Sequence, residues 1–115
     1  MHELSIAISI IEGVEAESES RGGLNIEAVH LKLGALSGVD KDALAFSYEI
    51  ACQGTSLEGS RLEIEEVPLK IYCPGCQKEH SPRSVQQLCC PDCHTPAQQV
   101  LQGRELEVTA LEIAA

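Results

Sequence analysis

Cys73-Pro74-Gly75-Cys76 and Cys90-Pro91-Asp92-Cys93 decide how this chain folds. Each is a Cys-x-x-Cys knuckle, which sets two thiolates about 3.5–4 Å apart, roughly the edge of a tetrahedron drawn with ~2.3 Å metal–sulfur bonds. The thirteen residues between the knuckles give enough chain for both to close on one ion. Four thiolates select zinc or an iron–sulfur cluster, and the Pro and Gly inside the knuckles build tight turns. Two disulfides, or two separate redox pairs, are the competing reading; a matched pair of knuckles favours a tetrathiolate zinc site at Cys73, Cys76, Cys90 and Cys93. Cys89 adjoins Cys90, but only Cys90 has the two-residue spacing to Cys93 that mirrors the first knuckle, so Cys89 is read as a non-ligand. Cys52, far upstream in a helical pattern, reads as a small buried apolar residue.

Outward from the knuckles, both flanks read as strands. Arg61 to Tyr72 alternates Leu62 and Ile64, shifts phase near Glu65-Glu66, and resumes with Val67, Leu69 and Ile71; the shift predicts a bulge and Pro68 an exposed or edge position. A last strand spans Arg104 to Ile113, with Leu106 and Val108, then Leu111 and Ile113. Upstream, Leu4, Ala7, Ile8, Ile11 and Val14 recur at helical steps over residues 3 to about 19, and Gly22-Gly23 closes that helix. Leu24 to Leu33 ends in the alternation Val29, Leu31, Leu33 and predicts a strand. Asp40 offers an N-cap to a second helix through Ala43, Leu44, Phe46, Ile50 and Ala51, stopping near Gly54. The expected fold is α+β: two helices packed on a small three-stranded sheet, with an inserted zinc-ribbon module that carries the four knuckle cysteines. Residues 1–70 and 104–115 form one domain on this reading and residues 71–103 the ribbon.

Composition narrows the partners. The chain has 115 residues, and 8 basic against 18 acidic side chains leave a formal charge of −10. Four thiolates around Zn²⁺ add about two further negative charges. From Cys73 to Gly103 only Lys78 and Arg83 stand against Glu79 and Asp92, with no aromatic platform for bases, so a nucleic-acid role is not expected. No stretch is long enough to span a bilayer, and the first Lys or Arg is Arg21, which is not the charged start of a signal peptide. Metal-binding cysteines without an export signal predict the cytoplasm. A chain this short holds one small core plus a satellite stabilised by metal.

Met1-His2-Glu3 offers a second kind of metal chemistry. An isolated His at position 2 is ordinarily a solvated side chain. The Met1 amine, the His2 amide and the His2 Nδ1 can nonetheless form fused five- and six-membered chelate rings in one plane, which suits a d⁸ ion such as Ni(II), or Cu(II). The fourth position falls to the amide or carboxylate of Glu3, or to a partner. With Met1-His2-Glu3-Leu4-Ser5, the helix that follows and the paired knuckles between two late strands, the chain resembles the HypA/HybF family of hydrogenase nickel-incorporation proteins over essentially its whole length. The resemblance implies an α/β nickel-binding domain carrying a structural-zinc domain, with nickel at Met1, His2 and Glu3 and zinc at the four knuckle cysteines. It further implies work with a HypB-type GTPase and docking on the large subunit of a NiFe hydrogenase, as a monomer or homodimer; some relatives also route nickel to urease. His80 and His94 flank the knuckles and are left outside the zinc set, as polar surface or as neighbours able to substitute into the site.

The two sites differ in permanence, which is what a metallochaperone needs. A tetrathiolate site is closed and tight. The N-terminal site is exposed and must lose protons from amine, amide and imidazole, so its affinity falls as pH falls. A zinc-ribbon adaptor that handles no nickel is the alternative. Catalysis is not expected, because four thiolates leave zinc no open position for water and no nucleophile–base pair is legible.

Overall fold

The computed structural model describes residues 2–114, in the order α1 (Glu3–Ser20), β1 (Ile26–Gly34), α2 (Lys41–Cys52), β2 (Arg61–Val67), β3 (Lys70–Cys73), β4 (Lys78–His80), β5 (Gln99–Gln102) and β6 (Leu106–Ile113). The strands form two three-stranded sheets, ordered β2-β1-β6 and β4-β3-β5. The chain divides into two compact units, one built from residues up to Leu31, Val39–Glu65 and from Glu107 on, the other from Lys32–Gly38 and Glu66–Leu106.

In the first unit both helices form where the sequence places them, but of the apolar positions it counted, Leu4 and Ile8 of α1 and Phe46 and Ile50 of α2 are exposed. Ala7, Ile11, Val14 and Ser18 are the buried positions of α1, at steps of four, three and four. The helix stops where Gly22 and Gly23 enter the left-handed region, at φ 84° and 91°, and Ser18 secures the exit by accepting from Leu24 N–H at 2.7 Å. Asp40 caps α2 by accepting from Ala43 N–H at 2.9 Å. Both helices join one core with the strands: Ala7, Ile11 and Val14 meet Val29 and Leu31 of β1, and Leu44, Tyr48 and Cys52 of α2, while Leu62, Ile64 and Leu111 pack against its margin. Tyr48 is buried, and its hydroxyl satisfies itself on Ser60 Oγ at 2.8 Å. Burial pushes the Tyr48 phenol up to about 12 and raises the Cys52 thiol as well, which makes Cys52 an inert part of the core, as its position predicts.

The predicted Arg61–Tyr72 strand is instead two strands in two sheets. The phase shift at Glu65-Glu66 stays inside β2, whose half-buried positions are Leu62, Ile64 and Val67, and the change of sheet falls at Pro68, which has no N–H to continue the ladder. The Pro68 carbonyl is met by Gln102 Nε2 at 2.8 Å. In the second unit, the base below β3 is tied by main-chain bonds: Gly34 N–H to Glu105 O at 2.7 Å, Ala35 N–H to Val67 O at 3.1 Å and Leu36 N–H to Gly103 O at 2.6 Å. Gly34 has to be glycine there, since a Cβ would sit 2.1 Å from the Gly103 oxygen. The last strand lies where the sequence places it, two residues shorter at its start. It forms as Leu106–Ile113, an edge strand on which Leu106, Val108 and Ile113 are exposed and Leu111 is half-buried.

Candidate metal centre

The second unit is built around the two knuckles. β3 pairs antiparallel with β4, matching Ile71 with His80, Tyr72 with Glu79 and Cys73 with Lys78, so the first knuckle is the turn of a hairpin. β5 pairs with the other side of β3. Each knuckle closes the same way: Gln77 N–H donates to Cys73 O at 2.7 Å, and His94 N–H donates to Cys90 O at 2.9 Å. Gln77 and His94 are also the two non-glycine residues with positive φ among those described, at 57° and 61°, so the knuckles repeat one backbone path. The second is anchored by Cys90 N–H to Thr95 O at 2.8 Å and by a bridge between Cys89 and Pro96.

These paths bring the sulfurs of Cys73, Cys76, Cys90 and Cys93 within 4.8 Å of one another. The separations are 3.5 Å for Cys73–Cys93, 3.7 Å for Cys76–Cys93 and 3.9 Å for Cys76–Cys90. An ideal tetrahedron with ~2.3 Å metal–sulfur bonds has edges of about 3.8 Å. None of these pairs approaches the ~2.05 Å of a disulfide, and all six cysteines are free. Cys73 and Cys90 are buried while Cys76 is half-buried and Cys93 exposed, so the cluster sits at the surface with its inner half shielded. The set is soft, tetrahedral and closed, which fits Zn²⁺. Cys89 lies outside it.

Before any ion binds, the cluster already favours one thiolate. The Thr95 hydroxyl, 3.0 Å from Cys93 Sγ, together with the Thr95 backbone and the neighbouring thiols, pulls Cys93 down to about 6. Cys76 is pushed up to about 12, chiefly by its hydrogen bond to Cys93, and so holds its proton. Thr95 was not singled out from the sequence, although its place two residues after a ligand is the available signal. His80 is more than a surface group: its side chain is 10% exposed, its Nδ1 lies 3.7 Å from Asp92 and its Nε2 is buried without a partner among the described residues. His80, Cys90 and Asp92 bring ligand atoms within 4.8 Å of one another. His94 contributes its backbone turn instead.

The first unit holds the N-terminal residues. His2 is the N-cap of α1 but makes no side-chain cap bond, and it is exposed. Its carbonyl starts the helix by accepting from Ile6 N–H at 3.2 Å. Glu3 opens the helix, and its carboxylate accepts from Asp40 N–H at 3.4 Å. Met1, the first of the three expected nickel residues, lies outside the described residues.

Fold and site together define a small metal-binding protein with a helical α/β unit and a ribbon built on four cysteines. Comparison with known proteins carries this further. The family described as "Hydrogenase/urease nickel incorporation, metallochaperone, hypA" matches residues 1–113, and the chain belongs to that family. It is 46% identical over 112 residues to the hydrogenase maturation factor HypA of Roseiflexus sp. (strain RS-1), covering 97% of this chain and 91% of that protein. With the HypA of Chloroflexus aurantiacus (strain ATCC 29366 / DSM 635 / J-10-fl) the identity is 47% over 112 residues, with coverages of 97% and 98%. The fold resembles the solution structure of the nickel metallochaperone HypA from Helicobacter pylori, with a TM-score of 0.67 at 24% identity, covering 100% of this chain and 99% of that one. A second solution structure of a HypA protein gives a TM-score of 0.71 at 24% identity, with coverages of 99% and 97%. The expected family and fold class are thus borne out. No helix among the described residues is long and apolar enough to cross a membrane.

Proposed function

We propose that this protein binds Ni(II) through Met1, His2 and Glu3 and delivers it to the large subunit of a NiFe hydrogenase, while Zn²⁺ at Cys73, Cys76, Cys90 and Cys93 holds the ribbon. The observation that carries the nickel site is the state of the helix start. The exposed His2 imidazole makes no cap bond, so Nδ1 is free to ligate. The first N–H groups of a helix have no intrahelical acceptor, so deprotonating the His2 and Glu3 amides for nickel breaks no helix bond. The Glu3 carboxylate is engaged with Asp40, which favours the Glu3 amide over its carboxylate as the fourth ligand. A planar set of amine, amide and imidazole nitrogens suits a d⁸ ion and releases it as pH falls and the nitrogens regain protons.

Zinc, when bound, supplies a cross-link between the two knuckles and no reactive position, since four thiolates fill its coordination. The activity is therefore carriage rather than catalysis, in the cytoplasm. The domains that divide the task are residues 1–70 with 104–115 for nickel and residues 71–103 for zinc. A HypB-type GTPase and the immature hydrogenase subunit are the partners this role requires; the family description also names urease, which supports nickel delivery to urease as the alternative. The deciding measurement is X-ray absorption at the nickel edge on untagged protein and on protein carrying one extra N-terminal residue. The untagged protein should show a planar nitrogen shell and the extended protein should lose it. An undiminished planar nickel site in the extended protein would exclude the Met1 amine, and no nickel binding by either would leave the zinc-ribbon adaptor reading.

A further inference from the structure

The sheet β2-β1-β6 has two edges, and they are built differently. β2 presents Arg61, Glu63, Glu65 and Glu66 and runs into Pro68, the charges and proline by which natural sheets refuse further strands. β6 contains neither Lys nor Pro, and Val108 and Ile113 stand 40% and 51% exposed on it. Beside it, a groove of about 550 Å³ runs between α1 and the strand. Four consecutive residues, Val108 to Leu111, line this groove, so it opens on the edge backbone of β6 and not on one face alone. Ile10, Gly13 and Val14 of α1 form the opposite wall. A Cβ at Gly13 would meet nothing within 4 Å, so the missing side chain gives the groove its width.

We propose that the β6 edge takes up an extended segment of a partner polypeptide as an added strand, with apolar side chains of that segment in the groove over Gly13 and basic side chains on its solvent face. Main-chain pairing supplies affinity in such additions, and the pockets for alternate side chains supply selectivity. Charge selects the occupant. Of the charged residues lining the groove, Glu17 and Arg21 neutralise each other through a 2.6 Å ion pair. The strand itself has no Lys or Arg; its Glu112 is engaged by His30 at 3.0 Å and Arg61 at 3.2 Å, which leaves Glu107 as the acidic group it adds, on a chain of net charge −10. A second copy would bring another acidic strand and another ten negative charges, whereas a basic segment complements the edge. This inference is independent of the metal sites.

Two end-blocked eight-residue peptides, one alternating valine with lysine and one alternating valine with glutamate, test it against the isotope-labelled full chain with zinc bound. The lysine peptide should shift the amides of Val108 to Leu111 and saturate by millimolar concentration, with the glutamate peptide about tenfold weaker or worse. Gly13→Leu fills the groove from a position with no neighbour to displace and favours the helix, so its Tm should equal or exceed the parent's while lysine-peptide binding falls about tenfold. The proposal is overturned if the lysine peptide does not bind at millimolar concentration, if both peptides bind equally, or if Gly13→Leu binds as the parent does. Sedimentation showing a dimer that Gly13→Leu dissolves would assign the edge to a second copy and equally overturn it.

Discussion

Cys93 and Thr95 show how one hydroxyl prepares a metal site. A thiol lowered from 9.0 to about 6 is a thiolate across neutral pH, and its charge is lost as pH falls through 6. In metal-free protein, iodoacetamide should therefore modify Cys93 ahead of Cys76, with a rate that falls below pH 6, as read by peptide mass mapping. Thr95→Val should move that midpoint upward toward the ordinary thiol value. Equal labelling of the two cysteines at pH 7 would count against the hydroxyl's role. The four ligand candidates were legible because Cys-x-x-Cys spacing encodes its own geometry. Thr95 and the inward turn of His80 were not, since both depend on how the chain folds back around the second knuckle and spacing alone carries no such information.

At the scale of elements, local signals were sufficient wherever a single element closes its own termini. α1 is read from its apolar steps and its Gly22-Gly23 exit, and α2 from its Asp40 cap. The strands were harder, because pairing partners decide their fate. Apolar residues recur through Arg61–Tyr72 closely enough to look like one bulged strand, yet its halves pair in different sheets on either side of Pro68. Likewise, the apolar residues of β6 cannot declare from sequence that their strand is an edge. Gly34 is the tightest point of the base that follows: Gly34→Ala would force a Cβ against main-chain atoms of Gly103, which no rotamer change can relieve. A loss on the order of 3 kcal/mol is expected, read as a lower denaturation midpoint. Gly13→Ala, with open space around it, is the control and should not destabilise.

For the molecule as a whole, the two units differ in what stabilises them. The first has an apolar core drawn from both helices and the strands. In the second, Leu33, Leu69, Ile71, Cys73 and Cys90 are the buried apolar residues among those described, and two of these five are ligand candidates. So thin a core depends on its ion. Withdrawing zinc with a strong chelator should collapse the amide dispersion of residues 71–103 while α1 and α2 keep theirs; retention of the ribbon's dispersion would show that it folds without metal. Cys73→Ala, which removes one of the four thiolates, should act like the chelator.

The buried Tyr48 has one more consequence. The chain contains two tyrosines and no tryptophan, and Tyr48 falls in the first unit while Tyr72 falls in the second. Each unit therefore carries a single native fluorophore, so replacing either tyrosine with phenylalanine leaves an optical reporter for the other half alone. Tyr48 is enclosed in the helical core, whereas Tyr72 sits in β3 next to Cys73, the first knuckle cysteine. Emission from Tyr72 thus follows the ribbon and emission from Tyr48 the helices, with no label attached.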